Sequence, residues 1–538
     1  MLEINHTASA SVHVSSELGV LKRILIHSPD GGIGKITPGK FHDWLYDDTV
    51  HLQKMQQEYD DYVKLLLYFL DPEKMEEVRT AEAGTNEKDR PSILNPGREE
   101  YFRSHKVVDA QWILSEILKD DKVRERIITA ISAIESCNSK VQQYLEGRKD
   151  NGDYILDNKQ LAKTLITGVL PTGEETGVLP PDTEDMTEEI YIFPPVPNFV
   201  FTRDIAIVIK DHLLLSKPAK LARRRESILT KFLAQHYLLK GREENIIEIT
   251  QHSEFFLLDE KEQAEQIITI EGGDIMMIAH NHLIVGCSER TSPNAVNEIV
   301  HEIFKLSDKI GIEWISVVKI PKKRSQMHID TIFTHVRRDV WVLHGEFSRE
   351  VEEYKAEVKK TYLKDLMHKK ERNEMDEEES VEIIQFYKDK QTPYNKSSDY
   401  LYKYDDHITQ QPEYIDDLLK QISAECYGVP YNRTKIIYSG GNRYPYDSRE
   451  QWTDACNVLA LKEGIVIGYD RNVETIKEFE KEGFECIAVK KLLHQFETGE
   501  RNPQDIKNML VLLESGELSR ARGGSHCMSM PLWREELG

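Results

Sequence analysis

Three stretches decide the fold: DIMMIAHNHLIVGC at residues 274–287, SPNAVNEIVHEIFKL at 292–306 and WISVVKI at 314–320. The first stretch contains two apolar runs separated by a short polar turn, which is the pattern of two consecutive β-strands. The second has apolar residues at spacings of three and four, as in an amphipathic helix. The third is another β-rich apolar run. Together they predict a unit of two strands, a helix and a third strand, abbreviated ββαβ.

The same order of elements recurs elsewhere in the chain. Two further units begin at 204–217 and 457–469, continue with helical stretches at 221–239 and 472–484, and close with apolar runs at 245–249 and 485–489. A fourth unit is predicted to start at Asp330, with 339–345 as one of its strands. Further strands are predicted in VLKRILIHSP at 20–29 and HCMSMPLW at 526–533. Repetition in a fixed order predicts an α/β fold whose units form a radial or stacked array.

Two stretches do not follow the repeat. Residues 71–189 are helical and charged and end in the acidic, turn-rich segment GVLPTGEETGVLPPDTEDMTEE, which predicts an inserted helical domain. Residues 348–411 are dense in charge, including KKERNEMDEEES, and are interpreted as a second insertion with solvated faces or loops. The α/β part built from the repeats is therefore predicted to consist of residues 1–70 and 190–538.

Composition limits the classes of partner. Among 538 residues, 70 Lys and Arg stand against 93 Asp and Glu, for a net charge of −23. This sign disfavours nucleic acid and anionic membranes as partners. No apolar stretch approaches the roughly 18 residues of a membrane span, and the start MLEINHTASA lacks the basic and apolar regions of a secretory signal. We therefore predict a soluble, cytoplasmic protein without nucleic-acid or membrane partners.

The cysteines are sparse and scattered. They are Cys137, Cys287, Cys426, Cys456, Cys486 and Cys527, and no two form a Cys-x-x-Cys pair. This spacing does not fit a disulfide framework or a zinc site of four thiolates. We predict that they are reduced, so that one of them is available as a nucleophile.

Candidate functional residues lie in irregular segments at the ends of predicted strands, where functional groups are commonly found. These segments are NFVFTRD at 198–204, EGGD at 271–274, MHIDT at 327–331 and RGGSHCMSMP at 522–531. A cysteine, a histidine and several carboxylates allow a thiolate nucleophile, an imidazole that moves protons, and acids that hold a cation. The natural cationic partner of two carboxylates is a guanidinium, because its planar donors form bidentate pairs.

Each segment also has a simpler interpretation. Cys527 could be a small buried hydrophobic residue. His328 and Asp330 could be a hydrogen-bonded pair, or two metal ligands, because a His-x-Asp sequence on a strand places both side chains on one face. The segment 271–274 could be a bare turn. We expect no metal, since the remaining ligands would have to be carboxylates without recognisable spacing.

The order of motifs resembles the arginine deiminase family of the guanidino-group modifying (pentein) superfamily. The motifs are SELGVLKRILIHSP, PPVPNFVFTRD, ARRRE, EGGD, SERTSP, MHIDT, REQWTDACNVLAL and GGSHCMSMPL. The resemblance implies hydrolysis of L-arginine to L-citrulline and ammonia through a covalent cysteine intermediate, without metal or organic cofactor. It also implies a five-bladed α/β propeller of ββαβ units, a helical insertion after the first unit, and a homo-oligomer.

The resemblance also assigns roles in the reaction. Cys527 resembles the nucleophile that forms the covalent amidino intermediate, and His328 resembles the general acid and base. Glu271 resembles the carboxylate that orients the histidine. Asp204 and Asp330 resemble the pair that holds the substrate guanidinium.

Further residues resemble the substrate-binding positions of the family. Arg223 and Arg290 resemble the residues that hold the substrate carboxylate, and Asn198 and Phe201 resemble parts of the pocket wall. Arg522 resembles the mobile arginine of a loop that gates the site. That loop contains His526 and reads Gly-Gly-Ser where Gly-Gly-Gly is common in the family, a difference that could alter its mobility.

Two groups of alternatives stay open from the sequence. An amidinotransferase, an agmatine deiminase or a dimethylarginine hydrolase would use a similar set of cysteine, histidine and acids. A non-catalytic sensor or scaffold could keep the fold without the activity. The arginines at the carboxylate-binding positions favour arginine over agmatine, and the presence of all five reactive residues favours an enzyme over a scaffold.

Overall fold

The computed structural model describes most of the chain. The described residues are 12–82, 94, 101, 103–135, 139–149, 152–169, 193–251, 255, 257–349, 351, 353, 381–388 and 412–537. Most of the acidic segment at 168–189 and most of the charged segment at 348–411 lie outside them. Within this part of the chain, no helix combines the length and the apolarity needed to cross a membrane.

The strands are short and numbered here in chain order. They are β1 Leu21–Ile26, β2 Val107–Asp109, β3 Ala206–Ile209, β4 His212–Leu215, β5 Ile246–Ile247, β6 Ile275–Ala279, β7 His282–Cys287, β8 Trp314–Lys319, β9 Phe333–Arg337, β10 Val340–Leu343, β11 Glu382–Tyr387, β12 Lys435–Tyr438, β13 Leu459–Lys462, β14 Ile465–Tyr469, β15 Glu485–Ala488, β16 Met509–Leu513 and β17 Met530–Arg534. Over the described residues they form five small sheets, each with both parallel and antiparallel pairs. The mixed α/β class predicted from the sequence is confirmed.

The helices connect these strands or precede them. They are α1 Phe41–Trp44, α2 Leu52–Leu70, α3 Pro72–Glu82, α4 Ala110–Ile117, α5 Asp121–Ile134, α6 Ser139–Glu146, α7 Asn158–Thr167, α8 Thr202–Ile205, α9 Arg224–Leu233, α10 Glu260–Gln266, α11 Pro293–Ile310, α12 Ile415–Tyr427, α13 Tyr446–Trp452, α14 Val473–Lys481 and α15 Val489–Glu497. The helices that the sequence predicts in the three complete units correspond to α9, α11 and α14.

The first two predicted units have the expected ββαβ topology. In one, β3 pairs antiparallel with β4, helix α9 follows, and β5 returns parallel to β4. In the other, β6, β7, α11 and β8 repeat this arrangement. Strand β11 adds to the free edge of β8 in antiparallel register. This sheet therefore includes a strand from the stretch 348–411 that the sequence analysis assigned to an insertion.

The fourth unit is complete although the sequence obscured its end. Strands β9 and β10 pair antiparallel, and β12 returns parallel to β10 after helix α12. The third unit differs from the prediction, because β16 lies between β14 and β15. The burial of the two strands explains this order: β16 is almost wholly buried, whereas Glu485 and Ala488 of β15 face solvent, as is typical of an edge strand.

The fifth sheet joins the two ends of the described chain. Strands β1 and β17, both predicted from the sequence, pair antiparallel, and β2 pairs parallel with β1. Helices α2 and α3 lie between β1 and β2 in the chain. This sheet therefore has the same antiparallel and parallel pairs as the ββαβ units, but its antiparallel strand, β17, comes from the other end of the chain. Strand β2 belongs to the stretch 71–189, so the helical insertion also supplies a strand to a sheet.

Helix α11 illustrates how the sequence specifies these elements. The Ser292 side chain accepts a hydrogen bond from the backbone N–H of Ala295, which caps the first turn. Ile299 and Ile303 are buried one turn apart on the face toward the sheet. Gly311 ends the helix with φ of 73°, a left-handed conformation that glycine adopts without a steric penalty. Caps and apolar spacing thus agree on one helix.

Candidate active site

Three short helical turns carry carboxylates of the site, and each turn directly precedes the first strand of a unit. Asp204 lies in α8 before β3, Asp274 ends the turn Gly272–Asp274 before β6, and Asp330 lies in the turn Ile329–Thr331 before β9. All three aspartates are buried. The fold therefore repeats one local structure three times and places a carboxylate at the same point of each unit.

The turn at 271–274 is more than a bare turn. A Cβ atom on Gly272 would lie 2.1 Å from the carbonyl oxygen of Arg203, and one on Gly273 would lie 2.6 Å from Nδ1 of His328. No real Cβ tolerates such distances, so both positions require glycine. The two glycines let the turn that carries Glu271 approach the histidine closely.

Cys527 is buried beside Asp330. Its Sγ lies 3.4 Å from Oδ2 of Asp330, in hydrogen-bonding position for the thiol. Burial raises the pKa of the Cys527 thiol well above its usual value, and the charges of Asp330 and Asp204 raise it further. The cysteine is therefore a neutral thiol in this state, and ionisation requires added positive charge.

His328 lies among three carboxylates. Its Nε2 is 3.0 Å from Oε2 of Glu271, and its Nδ1 is 3.8 Å from Oδ1 of Asp204 and 4.0 Å from Oδ1 of Asp330. Burial lowers the pKa of the imidazole, but the charge of Asp204 and the hydrogen bond to Glu271 outweigh it and raise that pKa to about 10. The imidazole is therefore protonated at neutral pH and can donate a proton.

Several buried carboxylate oxygens of the site have no hydrogen-bond partner among the described residues. Two of them, Oδ1 of Asp204 and Oδ1 of Asp330, lie beside the imidazole of His328. Both lie within 4.0 Å of Nδ1 of His328. Buried acceptors are normally satisfied, so this pair is suited to a ligand that brings N–H donors and positive charge.

Arg223 is buried against several carboxylates. Its Nη1 donates to Oδ2 of Asp204 at 2.8 Å and to Oε2 of Glu271 at 3.1 Å, and its Nε donates to Oε2 of Glu226 at 2.9 Å. Burial alone would lower the pKa of Arg223, but these carboxylates raise it well above its ordinary value. In this state its donors serve the carboxylates of the site, so the predicted contact with a substrate carboxylate stays a prediction.

Arg290 is buried, and some of its N–H donors are not hydrogen-bonded within the described part of the chain. Its Nη2 contacts Sδ of Met327 at 3.2 Å, and its Nη1 lies 3.7 Å from Oε1 of Glu271. Its Nε and Nη1 have no hydrogen-bond partner among the described residues. A buried guanidinium with unused donors can accept an anion such as a carboxylate.

Arg522 stands at the edge of the site and not inside it. Its guanidinium stacks on the indole of Trp452 at 3.8 Å, and its Nε lies 3.8 Å from Oδ2 of Asp47. No nitrogen of this guanidinium has a hydrogen-bond partner in the described part of the chain, and its backbone has φ of 62°. The three residues line a surface cavity of about 400 Å³. The role of Arg522 as a mobile gate residue stays a prediction.

The loop after Arg522 packs tightly. A Cβ on Gly523 would lie 2.5 Å from the ring of Phe201, so Phe201 does contact this loop. Ser525 donates through its Oγ to the carbonyl of Ile467 at 2.6 Å and accepts from the N–H of Leu459 at 3.1 Å. The serine that distinguishes this loop from a third glycine is therefore hydrogen-bonded to the first residue of β13 and the central residue of β14.

Asn198 lies in the wall of the site with its side chain turned away from the reactive groups. Its Nδ2 donates to the backbone carbonyl of Trp44 at 2.8 Å, and its backbone carbonyl accepts from Nη2 of Arg223 at 3.4 Å. Any part it plays with a substrate stays a prediction.

The sequence analysis missed two buried polar residues near the reactive groups. Asn457 hydrogen-bonds to Cys527 through both its side chain oxygen and its nitrogen. Asp274 accepts from the N–H of Ile329 at 3.0 Å and from Ser288 Oγ at 2.6 Å, and burial raises its pKa to about 6. Both residues lie inside motifs already singled out, so their motif position was the available signal.

A third missed feature is a buried chain of ionisable side chains behind Asp330. Nδ1 of His526 lies 2.9 Å from Oδ2 of Asp330, and its Nε2 lies 3.6 Å from Oε2 of Glu17. Glu17 also accepts from Arg203 at 3.1 Å. Burial raises the pKa of Glu17, but Arg203 and His526 outweigh it and hold that pKa well below its usual range. This network holds the aspartate in place.

One group of side chains has the geometry of a metal site. Donor atoms of Asp204, Glu271 and His328 all lie within 4.8 Å of one another. Nη1 of Arg223, however, already donates to the first two of these residues. Positive charge at this point is thus provided by a guanidinium of the chain itself, and the absence of a metal requirement stays a prediction.

The site combines a buried thiol, a protonated imidazole and several carboxylates at the ends of α/β units, which defines an enzyme of nucleophilic thiol chemistry. Residues 103–534 match the family model of arginine deiminase. The chain belongs to the arginine deiminase family.

Curated relatives match over almost their whole length. The arginine deiminase of Streptococcus sanguinis (strain SK36) is 24% identical over 531 residues, covering 98% of this chain and 99% of the relative. That of Listeria monocytogenes serotype 4a (strain HCC23) is 26% identical over 531 residues and covers 98% of each.

Solved structures are more distant. The amidinotransferase SxtG from Microseira wollei aligns over 98% of both chains with 11% identity and a TM-score of 0.44. A DDAH from Pseudomonas aeruginosa, complexed with citrulline, covers 63% of this chain and 78% of its own, with 15% identity and a TM-score of 0.32. Both scores lie below the level that establishes a shared fold.

Proposed function

We propose that the protein hydrolyses L-arginine to L-citrulline and ammonia through a covalent intermediate on Cys527. The observation that carries this proposal is the pair of buried carboxylate oxygens, Oδ1 of Asp204 and Oδ1 of Asp330, that have no hydrogen bond among the described residues and lie beside His328. A planar guanidinium supplies the N–H donors and the charge that this pair lacks. The family and its curated relatives, named arginine deiminase, support the same reaction.

The first half of the reaction forms the covalent bond. The bound guanidinium and the protonated His328 offset the negative charge that keeps Cys527 neutral, so the thiol releases its proton to solvent. Sulfur attacks the guanidinium carbon, and the neutral tetrahedral adduct takes a proton from His328 at one terminal amine. Ammonia leaves, and a cationic thiouronium remains on the cysteine.

The second half releases the product. Neutral His328 takes a proton from water as the oxygen attacks the same carbon. The new adduct expels the thiolate, and the protonated ureido group gives its proton to the released ammonia. Citrulline and ammonium are formed, and the thiolate and the imidazolium are restored. One imidazole therefore serves as acid and then as base.

Several features of the molecule belong to the same proposal. Five sheets with one shared pattern of strands support a five-bladed propeller. We further propose residues 1–70 and 190–538 as the catalytic part, with 71–189 and 348–411 as insertions that add β2 and β11 to its sheets. Arg522 is proposed as a gate, because it lies beside the cavity with its guanidinium unsatisfied. Self-association and a cytoplasmic location rest on the resemblance.

Citrulline formation from L-arginine, measured beside agmatine and methylated arginines, tests the reaction. We expect arginine to be the preferred substrate. Preference for agmatine or a methylated arginine would indicate an agmatine deiminase or a dimethylarginine hydrolase, and transfer of the amidino group to an added amine would indicate an amidinotransferase. No turnover of any of these would favour a scaffold. Assays after exhaustive chelation test whether His328 and Asp330 are metal ligands. A requirement for added zinc or manganese would contradict a metal-free mechanism.

The pH dependence is the first specific prediction. Since His328 must be protonated to release ammonia and its pKa is raised to about 10, kcat/KM for arginine should fall as pH rises toward that value. Glu271→Gln removes an anion that favours the charged imidazole and should move this alkaline limb to lower pH. The measurement is the pH profile of kcat/KM for both proteins.

The matched control is Glu302→Gln, at a partly exposed residue of α11 that pairs with Lys305, which should leave the profile unchanged. An alkaline limb at the same pH in the Glu271 variant and in the native protein would contradict the role of Glu271 in setting the protonation of His328.

The second prediction concerns the substrate carboxylate. Arg290→Leu should lower kcat/KM for L-arginine by roughly tenfold to a thousandfold, the scale of a buried charge-assisted contact. Agmatine lacks a carboxylate, so its slower turnover should change little. Arg225→Leu is the control, because Arg225 is also buried but binds the backbone carbonyls of Pro194 and Leu165, so any loss there should affect both substrates equally. Equal losses in the Arg290 variant would show that Arg290 supports the fold.

A further inference from the structure

Asn457 lies immediately before β13 and is buried against the nucleophile. Its Oδ1 accepts a hydrogen bond from the backbone N–H of Cys527 at 3.0 Å. Its Nδ2 donates to Sγ of Cys527 at 3.1 Å and to the backbone carbonyl of Asp330 at 3.2 Å. One side chain therefore contacts the reactive sulfur, the backbone that carries it and the turn that carries the aspartate.

The orientation of this amide is determined by its partners. A backbone N–H can only donate, so the group that faces the Cys527 N–H must be the oxygen of Asn457. A backbone carbonyl can only accept, so the group that faces the Asp330 carbonyl must be the nitrogen. The NH₂ group of Asn457 is thus directed at the sulfur, and a flipped amide would break two hydrogen bonds.

The backbone of Asn457 strengthens this arrangement. Its backbone carbonyl accepts a hydrogen bond from the N–H of His526 at 3.5 Å and lies 3.4 Å from Oγ of Ser525, whose proton is donated to Ile467. A Cβ on Gly524 would lie 2.4 Å from the same carbonyl oxygen, so this glycine is needed for the close approach. Asn457 therefore contacts all three residues that precede the nucleophile, Gly524, Ser525 and His526.

The electrostatic surroundings of the sulfur otherwise oppose ionisation. Burial and the charges of Asp330, Asp204 and Asp454 all raise the pKa of the Cys527 thiol, and the hydrogen bond from Asn457 lowers it. The phenol of Tyr469 is a further acidic group that interacts with the thiol, while His328 and His526 face Asp330. Asp330 accepts from the thiol, and a thiolate has no proton to donate, so that contact is lost on ionisation. The N–H of Asn457 remains.

We propose that Asn457 is a further catalytic residue, which orients Cys527 and stabilises its thiolate through a hydrogen bond from its side-chain amide. This inference rests on the proposed function for its place in the reaction. The hydrogen bond itself concerns the free enzyme, so it can be tested without any substrate. A donor that stays on the sulfur as charge develops assists both the attack of the thiolate and its later departure from carbon.

The test is the rate at which iodoacetamide alkylates Cys527, followed by mass spectrometry of the Cys527 peptide from pH 6 to pH 11 without arginine. Asn457→Asp has nearly the same shape but presents an oxygen to the sulfur. It should slow alkylation at neutral pH by at least about tenfold and shift its midpoint to higher pH. Asn457→Ala removes the donor without adding an anion and should shift the midpoint in the same direction by less.

Asn472→Asp is the matched control. Asn472 is also a buried asparagine, with its amide bound to Thr453, so this variant measures the effect of the exchange on folding without contacting the sulfur. It should leave the alkylation profile of Cys527 unchanged. Melting temperatures identify which variants are folded under the assay conditions.

If folded Asn457→Ala or Asn457→Asp alkylates at the native rate with the native midpoint, Asn457 does not act on the sulfur and the proposal is wrong. If the expected shifts occur but arginine yields no citrulline, the role of Asn457 in thiolate stability stands and the proposed function fails. The two failures are therefore distinguishable.

Discussion

Cys527→Ala should abolish citrulline formation, leaving less than about one part in ten thousand of the native kcat, because loss of a catalytic nucleophile costs several orders of magnitude. The thiolate is the strong nucleophile among the groups that converge here, and neither a carboxylate nor His328 can take its place in the covalent step. The substitution removes one buried sulfur atom, so the fold should persist. The measurement is citrulline release by purified protein, together with the melting temperature.

The matched control is Cys287→Ala. Cys287 is also buried, at the end of β7, and among the described residues it has no hydrogen bond to Cys527, His328 or Asp330, so this variant should retain native turnover. Appreciable citrulline formation by folded Cys527→Ala would show that the reaction does not pass through a cysteine adduct. Water would then have to attack the guanidinium directly.

Asp330→Asn should lower kcat/KM for arginine by at least about a hundredfold and, in the same protein, speed the alkylation of Cys527. Leaving a buried cation unpaired costs on the order of 3 to 5 kcal/mol, and each 1.36 kcal/mol corresponds to about a factor of ten. The same carboxylate raises the pKa of the thiol, so its removal should lower that pKa. Turnover and thiol reactivity should therefore change in opposite directions, as read from steady-state kinetics and the alkylation rate.

The melting temperature separates a substrate contact from a structural role. A variant that had merely loosened the site would also admit water to the thiol and lower its pKa, but it would melt at a lower temperature, whereas loss of the substrate contact alone leaves the melting temperature unchanged. Asp308→Asn, at a highly exposed aspartate of α11, is the control and should change neither quantity. Near-native kcat/KM in the Asp330 variant would show that this carboxylate does not hold the guanidinium.

The spacing of apolar residues along the chain was sufficient to predict most of the strands and helices discussed here. The ββαβ order at 274–320 could be predicted because apolar spacing distinguishes strands from helices within a few residues. The same reasoning found β1 and β17 at opposite ends of the chain. It could not find that these two strands pair, or that β16 enters between β14 and β15, because strand order depends on how buried faces fit one another.

In the candidate site, too, the sequence identified residues but not the contacts between them. Motif order pointed to Cys527 and His328, and the structure places both beside Asp330. The sequence placed Arg223 with a substrate carboxylate, yet in this structure its donors serve Asp204, Glu226 and Glu271. Whether the N–H donors of a buried guanidinium are already bound to carboxylates depends on which side chains surround it in the folded protein. The spacing of residues along the chain does not contain that information.

The sequence by itself determined the chemical groups and the local structures that carry them, since residue types and their spacing act over a few positions. Only the tertiary structure decided which atoms meet. Asn457 and Cys527 are 70 residues apart and Asp330 and Cys527 are 197 apart, yet hydrogen bonds join both pairs. Hydrogen bonds act over about 3 Å, so the orientation of an amide or the freedom of one carboxylate oxygen is decided only when distant segments pack together.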